Sequence, residues 1–311
     1  VTLAAFILAA AVTVKFIAAP GHLNWLGPSA TIHIPGFLGK INQLIIILLC
    51  AAALFVLGFW DDKQRLGPVF KLIVQFAVAI IAAAFADVRI EFFIESRIIT
   101  SALSAVWIVL IINAFNFLDN MDGASAGIAV ITSGILFVAA ALSGQVFVGG
   151  LALVFIGTLL GFLAFNFPPA SIFMGDAGSL VIGFFLALLT VRTTYYHQAQ
   201  SGHWYSVFMP LICMSVPLYD FLSVTILRIK QGKNPLIGDT QHFSHRLKKR
   251  GLTDTQTVLT LYLATLCTGL GAIFLYQVNL TGAILIFIQT FMILAIIAVF
   301  ESTAKNDKPA D

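Results

Sequence analysis

Four groups of polar residues interrupt an otherwise apolar chain of 311 residues, and each carries side chains suited to phosphate or metal chemistry. The first, Gly58-Phe-Trp-Asp61-Asp62-Lys-Gln-Arg-Leu66, closes one apolar run, and Lys71 and Gln75 follow one turn apart in the next. Adjacent carboxylates can divide labour, one ionised beside a cation and the other acting as general base. The plainer alternative is a polar helix end with snorkelling charges. The second group, Asn113-Ala-Phe-Asn116-Phe-Leu-Asp119-Asn-Met-Asp122-Gly123, repeats a polar residue every third position, which on a helix fans four side chains across one face. A helix cap and turn would account for Asp122-Gly123 but not for four amides and carboxylates at a spacing of three.

The third group runs from Asn166 through Phe173 to Gly175, Asp176, Gly178 and Ser179. Small residues and amides at a helix start suit phosphate, but Asp176 would repel it. Asp176 makes sense as a ligand for Mg²⁺, which takes a few protein oxygens and leaves its other positions to water and substrate phosphates. The fourth group is the long basic connector 228–254, with Arg228, Lys230, Lys233, Asp239, His242, His245, Arg246 and Arg250. Membrane topology or attraction to anionic lipid explains its Lys and Arg. It does not explain two His three residues apart, which lack a third zinc ligand in the loop and fit better as donors to a phosphate or sugar. Together the groups describe a pocket for moving a phosphorylated group between a nucleotide-linked donor and a lipid acceptor, with metal clamping of phosphates as the source of rate.

The elements that must position these residues follow from composition. Apolar residues make up 59% of the chain and charged residues only 10%, and the mean hydropathy is +0.99. A soluble domain carries roughly 25% charge, so the chain is an integral membrane protein; disorder, collagen, coiled coil and a disulfide scaffold are excluded. The net charge of +3 is read as topology rather than as a nucleic-acid footprint. Cys50, Cys213 and Cys267 sit in apolar stretches without metal spacing and read as small buried hydrophobes.

Apolar runs predict ten spanning helices, at 1–19, 41–60, 68–86, 98–117, 123–143, 146–166, 177–195, 204–227, 255–277 and 279–300. They are too long and too uniform for barrel strands, so the expected fold is an all-α polytopic membrane protein. Residues 1–300 form a single transmembrane catalytic domain and 301–311 a cytoplasmic tail. The stretch 88–95 nearly alternates and could form a short strand or interfacial ribbon. Connectors after the even-numbered helices carry twelve of the seventeen Lys and Arg: Lys63, Arg65, Lys71, Arg228, Lys230, Lys233, Arg246, Lys248, Lys249, Arg250, Lys305 and Lys308. The positive-inside rule assigns that side, and with it all four polar groups, to the cytoplasm.

With these residues in place, the chain resembles the polyprenyl-phosphate N-acetylhexosamine-1-phosphate transferases, glycosyltransferase family 4. The resemblance is carried by Asp61-Asp62-x-x-x-Leu66, Asn113-x-x-Asn116-x-x-Asp119-x-x-Asp122-Gly123, Phe173-Met-Gly-Asp176-x-Gly-Ser179 and His242-x-x-His245. It implies a multi-pass enzyme of the bacterial inner membrane that moves a sugar 1-phosphate from a UDP-sugar to undecaprenyl phosphate and releases UMP, with Mg²⁺ as cofactor and Mn²⁺ as the other ion able to fill that role. UDP-N-acetylglucosamine is the expected donor, the product starts a cell-envelope polysaccharide, and the active site faces the cytoplasm. A homodimer is implied by the resemblance alone, and no nucleic-acid partner is expected.

The resemblance also assigns roles. Asp61 deprotonates or positions the lipid phosphate, with Asp62 in support. Asp176 and Asn116 hold the metal, while Phe173 stacks on uracil and Asp122 hydrogen-bonds it, with Gly123 counted among the substrate-binding residues. Asn166, Asp119 and Lys71 line the nucleotide and phosphate region, with Asp119 counted among the catalytic acids; His242 and His245 contact the sugar phosphate. Asp220 matches a family position without an assignable role, and Arg228 is two turns away along the same helix. Ser244 stands where the family usually has His, and the family's eleventh helix and first basic loop are expected ahead of Val1. The alternatives are the phospho-MurNAc-pentapeptide transferase of peptidoglycan synthesis, a secondary transporter with acids at the bilayer midplane, and a non-catalytic relative.

Overall fold

A computed structural model describes residues 36, 39–90, 94–193, 203–234 and 242–302. The expected helix 1–19 and the tail beyond residue 302 lie outside the described residues, as does the centre of the 88–95 stretch, whose described flanks form no strand. The helices are α1 (Ile41–Lys63), α2 (Pro68–Phe85), α3 (Arg97–Leu118), α4 (Ala124–Leu142), α5 (Val146–Asn166), α6 (Gly175–Arg192), α7 (Met209–Cys213), α8 (Ser215–Lys230), α9 (Phe243–Lys248), α10 (Asp254–Phe274) and α11 (Leu280–Ser302). Among the described residues, eight helices are long and apolar enough to cross a membrane, or nine if the bent pair Trp204–Cys213 and Ser215–Lys230 is one span. This is an all-α multi-pass membrane protein.

Local chemistry sets several of these boundaries. Pro68 opens α2, where its missing N–H costs nothing. Thr253 and Gln256 form a capping box at the start of α10. The expected continuous helix 204–227 is instead bent by 64°. Pro217 explains the break: it lacks an N–H and its ring crowds the carbonyl four residues back, at Cys213, where α7 ends.

Helix α6 is the axis of the bundle. Every residue from Ser179 to Thr190 is buried, as expected of a helix that is apolar all round and enclosed by protein. Helices α1 and α3 flank it at backbone distance, because a Cβ at Gly183 would stand 2.6 Å from Ile112 Cα and one at Gly58 would collide with the carbonyl of Asp176. Small residues permit such approaches where lipid supplies no hydrophobic drive between helices. At the end of the bundle opposite Asp61 and Asp176, Arg192 donates to the carbonyl of Ala86 and to Gln43 Oε1, both at 2.9 Å, and lies over the Phe147 ring. One side chain thereby ties the ends of α1, α2, α5 and α6. Cys50, Cys213 and Cys267 are free thiols, the first two buried.

Candidate active site

Adjacent residues on a helix point roughly 100° apart, so Asp61 and Asp62, in the last turn of α1, face different neighbours. Asp61 turns towards α2: Oδ1 accepts the N–H of Leu66 and Oδ2 accepts from Lys71 Nζ, both at 2.7 Å. The same ammonium donates to Asp176 Oδ2 at 2.5 Å, so Lys71 bridges two carboxylates 115 positions apart in the chain. Asp62 turns towards α6, where its oxygens accept the N–H groups of Asp176 at 2.8 Å and Ala177 at 3.2 Å. A carboxylate from one helix thus caps the N-terminus of another, a charge-assisted contact aligned with the helix dipole. Gly175 makes this arrangement possible: its φ is +62°, and a Cβ there would lie 2.6 Å from Asp62 Oδ2. As Asp176 in this position suggested, the helix start is not an open phosphate cradle, because Asp62 already occupies the amides of the second and third residues of α6.

Helix α3 supplies the next wall. Asn113 donates to Gln75 Oε1 at 2.7 Å. One turn on, Asn116 Nδ2 reaches Asp176 Oδ1 and Ser179 Oγ, both at 2.9 Å. The helix ends at Leu118 with Asp119 as its C-cap. Asp122 therefore sits beyond the helix, not on the fan of four expected from a spacing of three. Gly123, with φ of +74°, turns the chain into α4. Burial, and then the charges of Asp176, Asp62 and Asp122, hold the Asp119 carboxyl well above the ordinary carboxylate range.

Asp122 and Asn166 brace the loop above this cluster. Asp122 Oδ2 accepts the N–H of Ala170 at 3.0 Å. Asn166 Oδ1 accepts the N–H of Gly123 at 3.0 Å, and its Nδ2 donates to the carbonyl of Ile172 at 2.8 Å. Asn166 was expected to line the nucleotide region; with both ends of its buried amide engaged by backbone, it acts in this structure as a strut between two loops. Phe173 projects from the loop so held and is 79% exposed, open to stack on a planar ligand.

The histidine segment reaches the same end of the bundle by another route. Ser244 donates its hydroxyl to Asn120 Oδ1, beside Asp119. His242, expected to be free for a sugar phosphate, is buried, with Nδ1 facing Asp220 Oδ2 at 3.1 Å. His245 follows on α9, its side chain outside the described residues. Tyr262, Gly58 and Asn120 were missed as positioning residues, while Asp220, read from sequence as an acid without an assignable role, is found paired with His242 and the Phe243 N–H. Tyr262 donates to the carbonyl of Gly123 at 2.6 Å and lies where a Cβ on Gly127 would collide with it. Only the small residues at positions 58 and 127 hinted at such contacts.

Asp61, Asp62, Lys71, Asn116 and Asp176 are thus one hydrogen-bonded cluster with Asp119 in its field. Against the carboxylates of Asp61, Asp62, Asp119 and Asp176, Lys71 supplies the single ammonium in the network. That excess of negative charge and the hard oxygen donors fit a divalent cation. Among the described residues no group of three His, Cys, Asp or Glu stands ready to hold a metal by protein alone.

Residues 44–194, which contain every member of this cluster, match the family described as Glycosyl transferase family 4. Over 265 residues the chain is 33% identical to the Bacillus subtilis protein named "Probable undecaprenyl-phosphate N-acetylglucosaminyl 1-phosphate transferase", covering 83% of this chain and 73% of that one. The chain belongs to glycosyl transferase family 4. It is also 26% identical to the undecaprenyl-phosphate alpha-N-acetylglucosaminyl 1-phosphate transferase of Yersinia pestis, over 83% of this chain and 71% of that one. With the decaprenyl-phosphate N-acetylglucosaminephosphotransferase of Mycobacterium leprae it shares 28% identity, over 77% of this chain and 67% of that one. The protein is an enzyme of this family, and its acid cluster lies within the matched segment.

Proposed function

We propose that the protein transfers N-acetylglucosamine 1-phosphate from UDP-N-acetylglucosamine to undecaprenyl phosphate in a Mg²⁺-dependent reaction, releasing UMP at the cytoplasmic face of a bacterial inner membrane. This would be the first membrane step of an envelope polysaccharide. The names of the relatives support the sugar phosphate and the polyprenyl acceptor. The observation that carries the reading is the Lys71 bridge between Asp61 and Asp176. It gathers acids from α1 and α6 at one end of an apolar bundle, where a water-soluble nucleotide can meet a lipid phosphate. A transporter would instead need acids near the bilayer midplane.

In the reaction, a lipid-phosphate oxygen forms a bond to the sugar-bearing phosphorus of the donor. The bond from that phosphorus to the bridging oxygen breaks, and UMP leaves with the electron pair. Asp61 positions the attacking phosphate and takes a proton from it when one is present, while Asp62 keeps α6 and Asp176 in place. Lys71 offsets charge between Asp61 and Asp176. Mg²⁺, held by Asp176 and Asn116, would neutralise charge on the donor pyrophosphate. Phe173 stacks on the uracil and Asp122 orients it. Direct attack is favoured over an aspartyl intermediate, because a pyrophosphate already carries its own leaving group.

The test is UMP release by the full-length protein with undecaprenyl phosphate and a panel of UDP-sugars, with Mg²⁺ or with EDTA. UDP-N-acetylglucosamine should be turned over, and only with the metal. Release from UDP-MurNAc-pentapeptide alone would overturn the donor, and full activity in EDTA would overturn the cofactor.

A further inference from the structure

Two amides to which the reaction gives no role lie one turn below the acid cluster. Gln75 follows Lys71 by four residues on α2, and Asn113 precedes Asn116 by three on α3. Asn113 Nδ2 donates to Gln75 Oε1 at 2.7 Å and to the carbonyl of Val109, in its own helix, at 2.8 Å. The bond to Val109 fixes which end of Asn113 is the donor, so Gln75 must turn its oxygen towards it. Gln75 is 0% exposed, and its Nε2 is left without a hydrogen-bond partner among the described residues. An unsatisfied buried donor is unfavourable, and an apolar side chain of similar size would avoid it. Stability alone therefore does not account for an amide at this position.

Geometry accounts for it better. Among the described residues the bond to Asn113 is the one hydrogen bond that joins α2 to α3. The buried side chains nearby, Val78, Ala79 and Ala82 on α2 and Ile108, Val109 and Ile112 on α3, are apolar. Apolar burial is non-directional, whereas a slide of one residue, about 1.5 Å along the axis, breaks a hydrogen bond. One turn nearer the acids, the same two helices hold Asp176 by both oxygens, Lys71 on Oδ2 at 2.5 Å and Asn116 on Oδ1 at 2.9 Å. We propose that Gln75 is a positioning residue for the transfer reaction. Through Asn113 it fixes the register of α2 against α3, and that register sets where Lys71 and Asn116 meet Asp176. Setting register is the best-attested use of a buried polar group that does not add stability. The inference rests on the reading of Lys71, Asn116 and Asp176 as part of the reacting site.

Gln75→Met separates this role from simple packing, because it removes the acceptor at similar volume and also removes the unsatisfied N–H. In the full-length protein its melting temperature in detergent should equal or exceed that of wild type. Its kcat for UMP release should fall about 10- to 100-fold. The Mg²⁺ concentration for half-maximal rate should rise, and the increase in melting temperature on adding Mg²⁺ should shrink. Combined with Asn113→Leu, Gln75→Met should slow transfer no further than Asn113→Leu alone, since both remove one bond. A lowered melting temperature in Gln75→Met, or protein that does not fold, would make the pair structural and overturn the proposal. Losses that multiply in the double variant would overturn it as well. Wild-type transfer by Gln75→Met beside an inactive Asp176→Asn would overturn this inference alone. A fully active Asp176→Asn would overturn the reading of the cluster, and this inference with it.

Discussion

Asp62 accepts the backbone N–H of Asp176 at 2.8 Å, so the last turn of one membrane helix caps the first turn of another. The distance between Asp61 and Asp176 is therefore set by the α1–α6 junction and does not depend on a flexible loop. Asp62→Ala should lose this cap, at about 1 kcal/mol, and should lower both the melting temperature in detergent and UMP release. Asp62→Asn keeps one acceptor oxygen and should retain most of the stability. Equal melting temperatures for Asp62→Ala and wild type would show that the cap contributes nothing.

Gly58 is where α1 meets the backbone of Asp176 and Ala177. Gly58→Ala must push the helices apart and displace Asp61 from Lys71 and Asp176. A shift of about 1 Å at a reacting centre can cost about 100-fold. UMP release should fall by that order in protein that still extracts and elutes as a folded species. An active Gly58→Ala variant would mean that the spacing of the acids tolerates such a shift.

Lys71 is the ammonium between Asp61 and Asp176. Lys71→Met leaves the two carboxylates facing each other, which should abolish transfer and increase the attraction of the cluster for divalent cations. The check is a thermal titration: Mg²⁺ should raise the melting temperature of Lys71→Met more than that of wild type. In Asp176→Asn the Mg²⁺ effect on stability and the Mg²⁺-dependent transfer should both disappear. Transfer that persists in Asp176→Asn would remove that residue from the metal site.

Asp119 gives a pH dependence with a definite sign. Its folded-state pKa lies above its unfolded value through burial and the neighbouring acids, so the folded state binds this proton more tightly than the unfolded chain does. The resulting destabilisation is absent below about pH 4, the unfolded range, and grows as pH rises towards the folded pKa. Without Mg²⁺, Asp119→Asn should match wild type in melting temperature near pH 4 and exceed it near pH 7, while losing transfer activity. A melting-temperature difference that stays flat with pH would show that Asp119 is not strained by its neighbours.

The sequence by itself determined the solvent of this protein and the location of its chemistry along the chain. Long apolar runs can satisfy their backbone in lipid only as helices, so eight of the expected spans reappear in the described residues as helices long enough to cross a membrane, and a ninth is found as a bent pair. Polar residues cannot sit cheaply in those runs, so the acids around Lys71 had to fall at helix ends and in connectors, with Asp220 the exception that stands inside an expected span. Sequence spacing also brought Asn116 onto the same face as Asn113. Only the tertiary structure decided what each group touches. Asp61 and Asp62 are equivalent on paper, and it took the packing of α1 between α2 and α6 to send one to Lys71 and the other to the α6 amides. Asn166 and His242 carry the right chemistry for substrate, yet buried backbone groups and Asp220 claim their polar atoms first. The physical reason is the same in each case. Hydrophobic periodicity is local and readable along the chain, whereas hydrogen-bond partners are chosen across it, by which helices can approach closely enough at Gly58, Gly175 and Gly183.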